Sequence, residues 1–156
     1  MKAWRIVKKK YAISAFDGEG AFLYGGRWNK PGTRVVYLAG SPSLAALEII
    51  VNTNEPDDLL AIPYVLIPVE FDPSLLTRVE RLPRDWNRNP APSSTADLGN
   101  AWFHSGRSLL LEVPSAVVRF ENNYLLNPAH SDFKKITIGR PQSFRFDPRL
   151  KKRKPQ

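Results

Sequence analysis

The sequence contains no cysteine, and among its 156 residues there are only two histidines and one methionine. Without cysteine there are no disulfide bonds and no thiolate chemistry, so we expect a reducing compartment or a protein indifferent to oxidation. His104 and His130 stand without a His-Glu-x-x-His pattern or a carboxylate-rich calcium loop. These residues leave little from which to build a metal centre, and we expect no bound metal.

Long apolar runs and nucleotide-binding loops are also missing. No run reaches the roughly eighteen apolar residues of a membrane span, and the basic N-terminus lacks the apolar stretch of a signal peptide. The segment GEGAFLYGG has Leu23 where a dinucleotide fingerprint needs its third glycine, and neither a G-x-S-x-G elbow nor a P-loop occurs. We expect a cytoplasmic protein that makes no contact with a membrane.

The net charge of +8 comes from the two ends of the chain. Residues 1–10 and 149–156 each carry five basic residues and no acidic one, so residues 11–148 hold 13 basic against 15 acidic residues. A slightly acidic body disfavours a nucleic-acid surface. We expect a single domain over residues 1–156, with a core at about 11–148 and basic termini that are solvated; contact of these termini with nucleic acid or an acidic partner is the alternative.

The pattern of β-branched and aromatic residues predicts several short strands. One covers 35–40 and is followed at once by a helix that begins at Ser41 and Pro42, a good capping pair. Pro63 and Pro68 suggest that the next strand is an edge or has a bend. The further strands are predicted at 64–71, 109–113, 124–126, 136–138 and 144–146.

A second helix is predicted to begin with Ser94 as its cap and Asp97 in the capping-box position, and to end near Gly106. The preceding residues 81–94, rich in Pro, Asn and Arg, are typical of a long surface loop with a function. Because short strands outnumber helices and do not alternate with them, the fold class is α+β, with a topology that the pattern leaves open.

Glu48 is a lone carboxylate in the otherwise apolar run SLAALEII. On a helix it falls on the stripe formed by Leu44, Leu47 and Val51, so no wet face is evident for it. A buried carboxylate without a partner is expensive. Glu48 therefore needs a hydrogen-bonding partner or a chemical purpose.

Three other places carry chemistry-bearing side chains. In YGGRWNKPG, two glycines present Arg27, Trp28 and Asn29 together, and an arginine fork suits phosphate or carboxylate; a structural pair of Arg27 with Glu48 is the alternative. Tyr37 precedes the Glu48 helix and is otherwise a core tyrosine. Ser115, after a proline at a strand end, points a hydroxyl into a cleft or is an ordinary turn residue.

Four segments together resemble the RES domain family, named for its Arg, Glu and Ser. They are GGRWNKPG, VVYLAGSPSLAALE, VPSAVV and NYLLNPAHSDF, in this order over about residues 20 to 140. The resemblance implies an ADP-ribosyltransferase-like mixed or split β-sheet with a few helices. It also implies a toxin of a bacterial toxin-antitoxin pair that consumes NAD and is neutralised by an antitoxin with a Xre-like helix-turn-helix domain.

Matched motif by motif, the resemblance makes Arg27, Glu48 and Ser115 the family's three residues and Tyr37 the tyrosine before the glutamate. It implies that Arg27, Trp28, Tyr37 and Ser115 bind NAD, with Asn29, Asn127 and His130 as further candidates in the site or in support of it. NAD is then a substrate and no cofactor is expected, although inorganic phosphate is a possible co-substrate. The antitoxin is expected to cover the active site, and any DNA contact is expected to run through the antitoxin.

The chemistry expected of Glu48 is stabilisation of the oxocarbenium character that develops on ribose when the nicotinamide bond of NAD breaks. The acceptor is open: water and phosphate give a glycohydrolase or a phosphorylase, and a protein acceptor gives an ADP-ribosyltransferase. The third hypothesis is a non-enzymatic RNA-binding module, which would need aromatic residues interleaved with lysine and arginine on a strand face.

Overall fold

The structure is a computed structural model, and it describes residues 1–53 and 56–150; the basic residues 151–156 lie outside the described residues. The helices are α1 (Glu19–Tyr24), α2 (Pro42–Val51), α3 (Pro56–Ala61) and α4 (Ser93–Ser105). The strands are β1 (Lys2–Lys8), β2 (Val36–Ala39), β3 (Tyr64–Glu70), β4 (Leu76–Arg78), β5 (Leu110–Pro114), β6 (Asn122–Leu126), β7 (Thr137–Ile138) and β8 (Gln142–Phe144).

The strands form one mixed sheet in the order β4-β5-β6-β2-β1-β3-β7, with β8 also paired to β3. Strands β4 and β5 run parallel, and the other pairs in the described part of the chain are antiparallel. The predicted α+β class is confirmed. Strand β4 and helices α1 and α3 were not predicted, because elements of three to six residues are too short to show a periodic pattern.

The basic N-terminus is not a solvated tail, and this part of the sequence analysis is corrected. Residues 2–8 form β1, which lies between β2 and β3 inside the sheet. Ala3 and Ile6 are buried on opposite faces of this strand, while its lysines reach solvent. The strand was missed because five basic residues surround its short apolar segment, and long basic side chains can extend from a buried backbone to water.

Strand β3 was expected to be an edge or to bend, and it is not an edge. It pairs with β1 along its full length, and its other side pairs with β8 over Tyr64–Leu66 and with β7 over Val69–Glu70. Pro68, which has no N–H to give, lies between these two short partners. On this side of β3, two short strands therefore pair before and after the proline in place of one continuous strand.

Helix α2 begins where the sequence places it, with the Ser41 hydroxyl accepting a hydrogen bond from the Leu44 N–H at 3.0 Å and Pro42 in the first turn. The apolar stripe is different from the expected one. Leu44 is buried, but Leu47 and Val51 are 38% and 61% exposed. Glu48, one turn after Leu44, is thus directed toward the sheet, while Leu47 and Val51 turn to solvent.

Helix α4 ends at Gly106 as predicted, in a left-handed conformation with φ of 59°. The predicted capping box is wrong. The helix begins after Pro92 with no side-chain cap; the Ser94 hydroxyl donates to Asp85 in the preceding loop, and Asp97 pairs with Lys30. Both side chains are used in tertiary contacts that the local sequence cannot reveal.

The two longer helices cover the same face of the sheet. Leu44 of α2 packs in one apolar cluster with Ile6 and Ala39, and Trp102 of α4 packs in another with Val113 and Leu125. The side chains of Tyr37 on β2 and Asn123 on β6 also belong to this face, since they alternate with residues of the opposite core. A seam therefore runs along the sheet between the two clusters. None of the described helices is long and apolar enough to cross a membrane.

Gly99 lets α4 approach the chain at Trp28. A Cβ atom at this position would lie 1.8 Å from the Trp28 carbonyl oxygen. We expect Gly99→Ala to lower the free energy of unfolding by about 3 kcal/mol, because backbone atoms cannot move aside cheaply. Gly20→Ala is the matched control: a Cβ there meets nothing within 4 Å, so alanine should add up to about 1 kcal/mol of helix stability. Urea denaturation measures both, and equal effects would contradict the close approach.

Candidate functional site

The side chain of Glu48 is held between α2 and the sheet by two hydrogen bonds. Its Oε1 atom accepts from the Ser115 hydroxyl at 3.0 Å and from the Asn123 side-chain amide at 2.6 Å. Glu48 is only partly buried. The carboxylate that had no evident wet face thus has polar partners on one side and an opening on the other.

Ser115 owes its position to the end of β5 and the turn that follows. Its hydroxyl oxygen accepts from the N–H groups of Val117 and Val118, both at 3.1 Å, so its proton is directed to Glu48. The side chain is fully buried. Ser115 is therefore a turn residue and a Glu48 partner at once, and the two interpretations of the sequence do not exclude each other.

The hydroxyl of Tyr37 connects β2 to the glycine-rich segment. It donates to the Asn29 Oδ1 atom at 2.8 Å and accepts from the Trp28 N–H at 3.0 Å. The Asn29 amide donates in turn to the carbonyl oxygens of Ala21 and Lys30. Asn29 and Trp28 are 1% and 2% exposed, so their side chains cannot present themselves to a substrate at the surface, and we assign both to supporting Tyr37 and the core.

Gly26 is required by this arrangement. A Cβ atom on it would stand 2.6 Å from the Tyr37 hydroxyl and 3.1 Å from the Asn29 Oδ1 atom. The segment therefore runs directly against the tyrosine, and the next residue, Arg27, is placed beside it. This close approach explains why the sequence has glycine immediately before the arginine.

Arg27 is held by the long loop that precedes α4. Its Nη1 atom donates to the carbonyl oxygens of Trp86 and Arg88, both at 2.9 Å. Within residues 1–53 and 56–150, Arg27 forms no ion pair with a carboxylate. The structural pair of Arg27 with Glu48 is thus absent there, and the guanidinium keeps its charge for another anion.

Arg27 and Glu48 each lie within electrostatic reach of Tyr37. Burial raises the pKa of the Tyr37 hydroxyl, the hydrogen bond from Trp28 and the positive charge of Arg27 lower it, and the negative charge of Glu48 raises it. A cation and an anion therefore flank one partly exposed aromatic ring. Such a cleft suits a ligand with a phosphate at one end and a group that develops positive charge at the other.

The structure does not bring Asn127 and His130 to this cleft. Asn127 follows β6 four residues after Asn123, about 13 Å along the strand. Its Oδ1 atom accepts from the Ala129 N–H at 3.0 Å, and the His130 Nδ1 atom accepts from the Asp132 N–H at 3.1 Å. Both side chains stabilise the turn that follows β6.

Asn123 is the site residue that the sequence analysis missed. It was outside the predicted strand, which began one residue later, and an asparagine beside another asparagine carries no pattern of its own. The available signal was its position: an amide in alternation with Leu125 must face a covered side of the sheet.

Glu48 lines neither of two grooves on the described chain. The larger, of about 440 Å³, is lined by Phe16, Asp17, Ile67 and Phe133 on the opposite face of the sheet, and the smaller, of about 220 Å³, lies beside Glu112. The candidate site is therefore selected by its chemistry and not by a groove. No three His, Asp or Glu side chains come together as a metal site among the described residues, and the absence of a metal stays a prediction.

Comparison with known proteins assigns the family. The family model described as RES domain matches residues 2–147 of the 156. The chain belongs to the RES domain family. The match includes β1 and all four candidate residues Arg27, Tyr37, Glu48 and Ser115.

Relatives within the RES family are similar over nearly their whole length. The chain is 43% identical over 152 residues to Toxin Res of Yersinia enterocolitica, covering 97% of this chain and 100% of the relative. It is 36% identical over 154 residues to a Sphingobium protein named Prs ADP-ribosylating toxin, covering 94% of each. Among solved structures, the M. tuberculosis MbcT-MbcA toxin-antitoxin complex contains a chain with a TM-score of 0.73 over 92% of this chain and 84% of its own; at 19% identity this shows a shared fold.

Removing the Tyr37 hydroxyl tests the hydrogen-bonded segment. Tyr37→Phe leaves the buried Asn29 Oδ1 atom and the Trp28 N–H without this partner, which should lower the free energy of unfolding by about 1–3 kcal/mol at pH 7. Because burial raises the pKa of Tyr37 above the ordinary value of 10.0, the unfolded chain ionises first, and the benefit of the hydroxyl is present below about pH 10 and lost above it.

Urea denaturation of both proteins between pH 7 and 11 measures this difference. We expect it to narrow above about pH 10, because only the wild type then has the tyrosine that ionises on unfolding. Tyr24→Phe is the matched control: Tyr24 is 82% exposed, and its loss should change stability by less than about 0.5 kcal/mol. A difference between wild type and Tyr37→Phe that stays constant to pH 11 would contradict the assigned burial.

Proposed function

We propose that the protein is the toxin of a toxin-antitoxin pair and that it cleaves the bond between nicotinamide and ribose in NAD. One observation carries the proposal: an arginine without a carboxylate partner and a partly exposed glutamate flank the ring of Tyr37. NAD has the matching chemistry, with a pyrophosphate at its centre and a ribose that becomes cationic when the base leaves. NAD is then a substrate and is not recycled.

Glu48 is the group that faces the reacting sugar in this proposal. As the nicotinamide bond breaks, positive charge grows on the ribose ring, and a fixed carboxylate stabilises that charge or grips the ribose hydroxyls. Its two hydrogen bonds hold it in place before substrate arrives. A carboxylate that needs no rearrangement stabilises the transition state more than one in water.

Arg27 clamps the pyrophosphate through the guanidinium nitrogens that its two carbonyl contacts leave free. Tyr37 packs its ring against the nicotinamide or its ribose, since its hydroxyl is already used on Asn29 and Trp28. Ser115 acts through Glu48 by its hydrogen bond, at the same end of the ligand.

The comparisons support the toxin assignment by the names of relatives. Toxin Res of Yersinia enterocolitica aligns along its whole length with this chain, and the fold is shared with a chain of the MbcT-MbcA toxin-antitoxin complex. We extend the proposal to a cognate antitoxin of the Xre-like helix-turn-helix type that covers the cleft at Arg27 and Glu48. A complex with that antitoxin that binds NAD as tightly as the free protein would contradict this extension.

A second activity is favoured by one relative. The Sphingobium protein is named Prs ADP-ribosylating toxin, and transfer of ADP-ribose to a protein uses the same donor chemistry as hydrolysis. Only the acceptor differs, because water, inorganic phosphate or a protein side chain has merely to reach the same anomeric carbon.

The deciding experiment incubates purified protein with NAD, with and without phosphate, and with and without Prs, the target that the name of the Sphingobium relative gives. Free ADP-ribose indicates a hydrolase, phosphorylated ADP-ribose a phosphorylase, and labelled Prs a transferase. Unchanged NAD under all conditions, with folded protein shown to be free of inhibitor, would overturn the enzymatic proposal and favour the RNA-binding hypothesis.

Glu48→Gln tests the central group. The amide keeps the shape of the side chain and can still accept from Ser115 and Asn123, so stability should hold while NAD turnover falls about a hundredfold or more, close to 3 kcal/mol. The matched control is Glu112→Gln, since Glu112 is also partly buried, with 13% of its side chain exposed, but pairs with Arg78. Normal turnover in Glu48→Gln would make Glu48 a structural residue.

Arg27→Lys tests the clamp. Lysine keeps the charge but loses the planar fork and cannot reproduce the bonds to Trp86 and Arg88, so kcat/KM for NAD should fall about ten- to a hundredfold, nearly as far as in Arg27→Ala. Arg34→Lys is the control, because Arg34 pairs with Glu19 outside the cleft. Full activity of Arg27→Lys would show that Arg27 supplies only a local positive charge.

A further inference from the structure

The two oxygens of Glu48 have different surroundings. Oε1 accepts both hydrogen bonds, from Ser115 and from Asn123. Oε2 has no hydrogen-bonding partner among the described residues. A carboxylate anchored by one oxygen only is held at a fixed orientation while its second oxygen remains free to accept.

Asn123 makes the shorter of the two bonds, at 2.6 Å against 3.0 Å for Ser115. The residue is 9% exposed, and its own Oδ1 atom is buried with no hydrogen-bond partner in the described chain. A buried acceptor left unpaired is destabilising, and an apolar side chain of the same shape would avoid that penalty. The packing of its own side chain therefore does not explain an asparagine here; what the residue adds is a donor for Glu48.

The orientation of the Asn123 amide follows from the same contact. Turned by half a rotation, the amide would place its oxygen 2.6 Å from the Glu48 Oε1 atom, and two acceptors at that distance repel. The nitrogen must therefore face the carboxylate, and the unpaired oxygen is the consequence. The side chain of Asn123 therefore makes one hydrogen bond, and it donates that bond to Glu48.

The two donors come from separate elements. Asn123 lies on β6 opposite Ala39 of β2, inside the paired sheet, and Ser115 lies in the turn after β5. Ser115 is held to the end of that turn because its N–H donates to the Glu121 carbonyl oxygen at 2.9 Å. One donor from the sheet and one from the turn thus bind the same oxygen, Oε1 of Glu48 on α2.

We propose that Asn123 is a positioning residue of the active site: it holds Oε1 of Glu48 so that Oε2 faces the ribose of the substrate. This inference rests on the proposed function. Asn123 does not touch the substrate, and its effect passes through Glu48 alone. The unpaired Oδ1 atom of Asn123 costs stability, and its amide nitrogen in return fixes the orientation of the Glu48 carboxylate.

Asn123→Leu removes the donor and keeps the approximate shape. We expect kcat for NAD to fall about tenfold to a hundredfold while KM stays within about threefold, since misorienting a catalytic group weakens the transition state more than substrate binding. The melting temperature should change by only a few degrees, because Glu48 loses one donor while the unpaired oxygen of Asn123 also disappears. A kcat within twofold of wild type would overturn the proposal.

Asn123→Asp gives a readout that a merely structural residue would not give. Two carboxyl groups this close cannot both ionise easily, and while they share one proton the aspartic acid can donate to Glu48 as the amide does. Activity should therefore be highest at acidic pH and fall as the shared proton is lost. The other charged or titratable side chains of the cleft are Arg27 and Tyr37. Burial raises the pKa of Tyr37, so its hydroxyl stays neutral through the acidic and neutral range.

The matched control is Asn122→Asp. Asn122 is exposed, so this substitution introduces the same carboxyl group one residue away without placing it against Glu48. Its pH profile should follow that of the wild type. If the profile of Asn123→Asp also follows the wild type, the proposal is wrong, and this result decides even if Asn123→Leu does not fold.

A double-mutant cycle separates this proposal from the proposed function. If Asn123 acts only through Glu48, Asn123→Leu should change residual turnover less than twofold in a Glu48→Ala background, and a further loss of the full size would overturn the inference. If the wild type does not cleave NAD, the proposed function has failed. The cycle is then measured on melting temperature, where the hydrogen bond predicts non-additive changes and additive changes overturn it.

Discussion

The hydrogen bonds on one oxygen of Glu48 are the interaction on which the rest of the site depends. A carboxylate on the inner side of a helix is tolerated only if donors reach it, and here those donors are Ser115 and Asn123. The helix, the β5–β6 turn and the central strand β6 must each be in register for the bonds to form. Because the Glu48 carboxylate must find donors, its hydrogen bonds constrain the relative positions of α2, the β5–β6 turn and β6.

The positive side of the cleft is built by a different constraint, the close approach of Gly26 to the Tyr37 hydroxyl. The Tyr37 hydroxyl is hydrogen-bonded to the side chain of the buried Asn29 and to the Trp28 N–H. The loop before α4 holds Arg27 through two carbonyl oxygens. Arg27 is therefore oriented by neutral acceptors, which leaves its charge unbalanced. Charges of opposite sign remain apart across Tyr37 instead of forming a salt bridge.

The site combines groups held firmly with groups left unsatisfied. Ser115, Asn29 and Trp28 are buried and fully occupied with positioning, whereas Oε2 of Glu48 and the Oδ1 atom of Asn123 lack partners in the described chain. Stability alone would not select this distribution. A ligand that brings hydrogen-bond donors to Oε2 of Glu48 and an anion to Arg27 would pair the groups that face the cleft, as the proposed reaction on NAD requires.

The sequence by itself determined the α+β class, the start of α2 at Ser41 and the end of α4 at Gly106. Through the family resemblance it also pointed to the candidate residues Arg27, Tyr37, Glu48 and Ser115. These depend on local capping, strand patterns and motif order, which the chain carries along its length. Only the tertiary structure decided that the basic N-terminus is the inner strand β1, that Trp28 is core and that Asn123 meets Glu48 from 75 residues away. The physical reason is that strand order and cross-strand partners are set by packing between distant segments, and no local pattern records them.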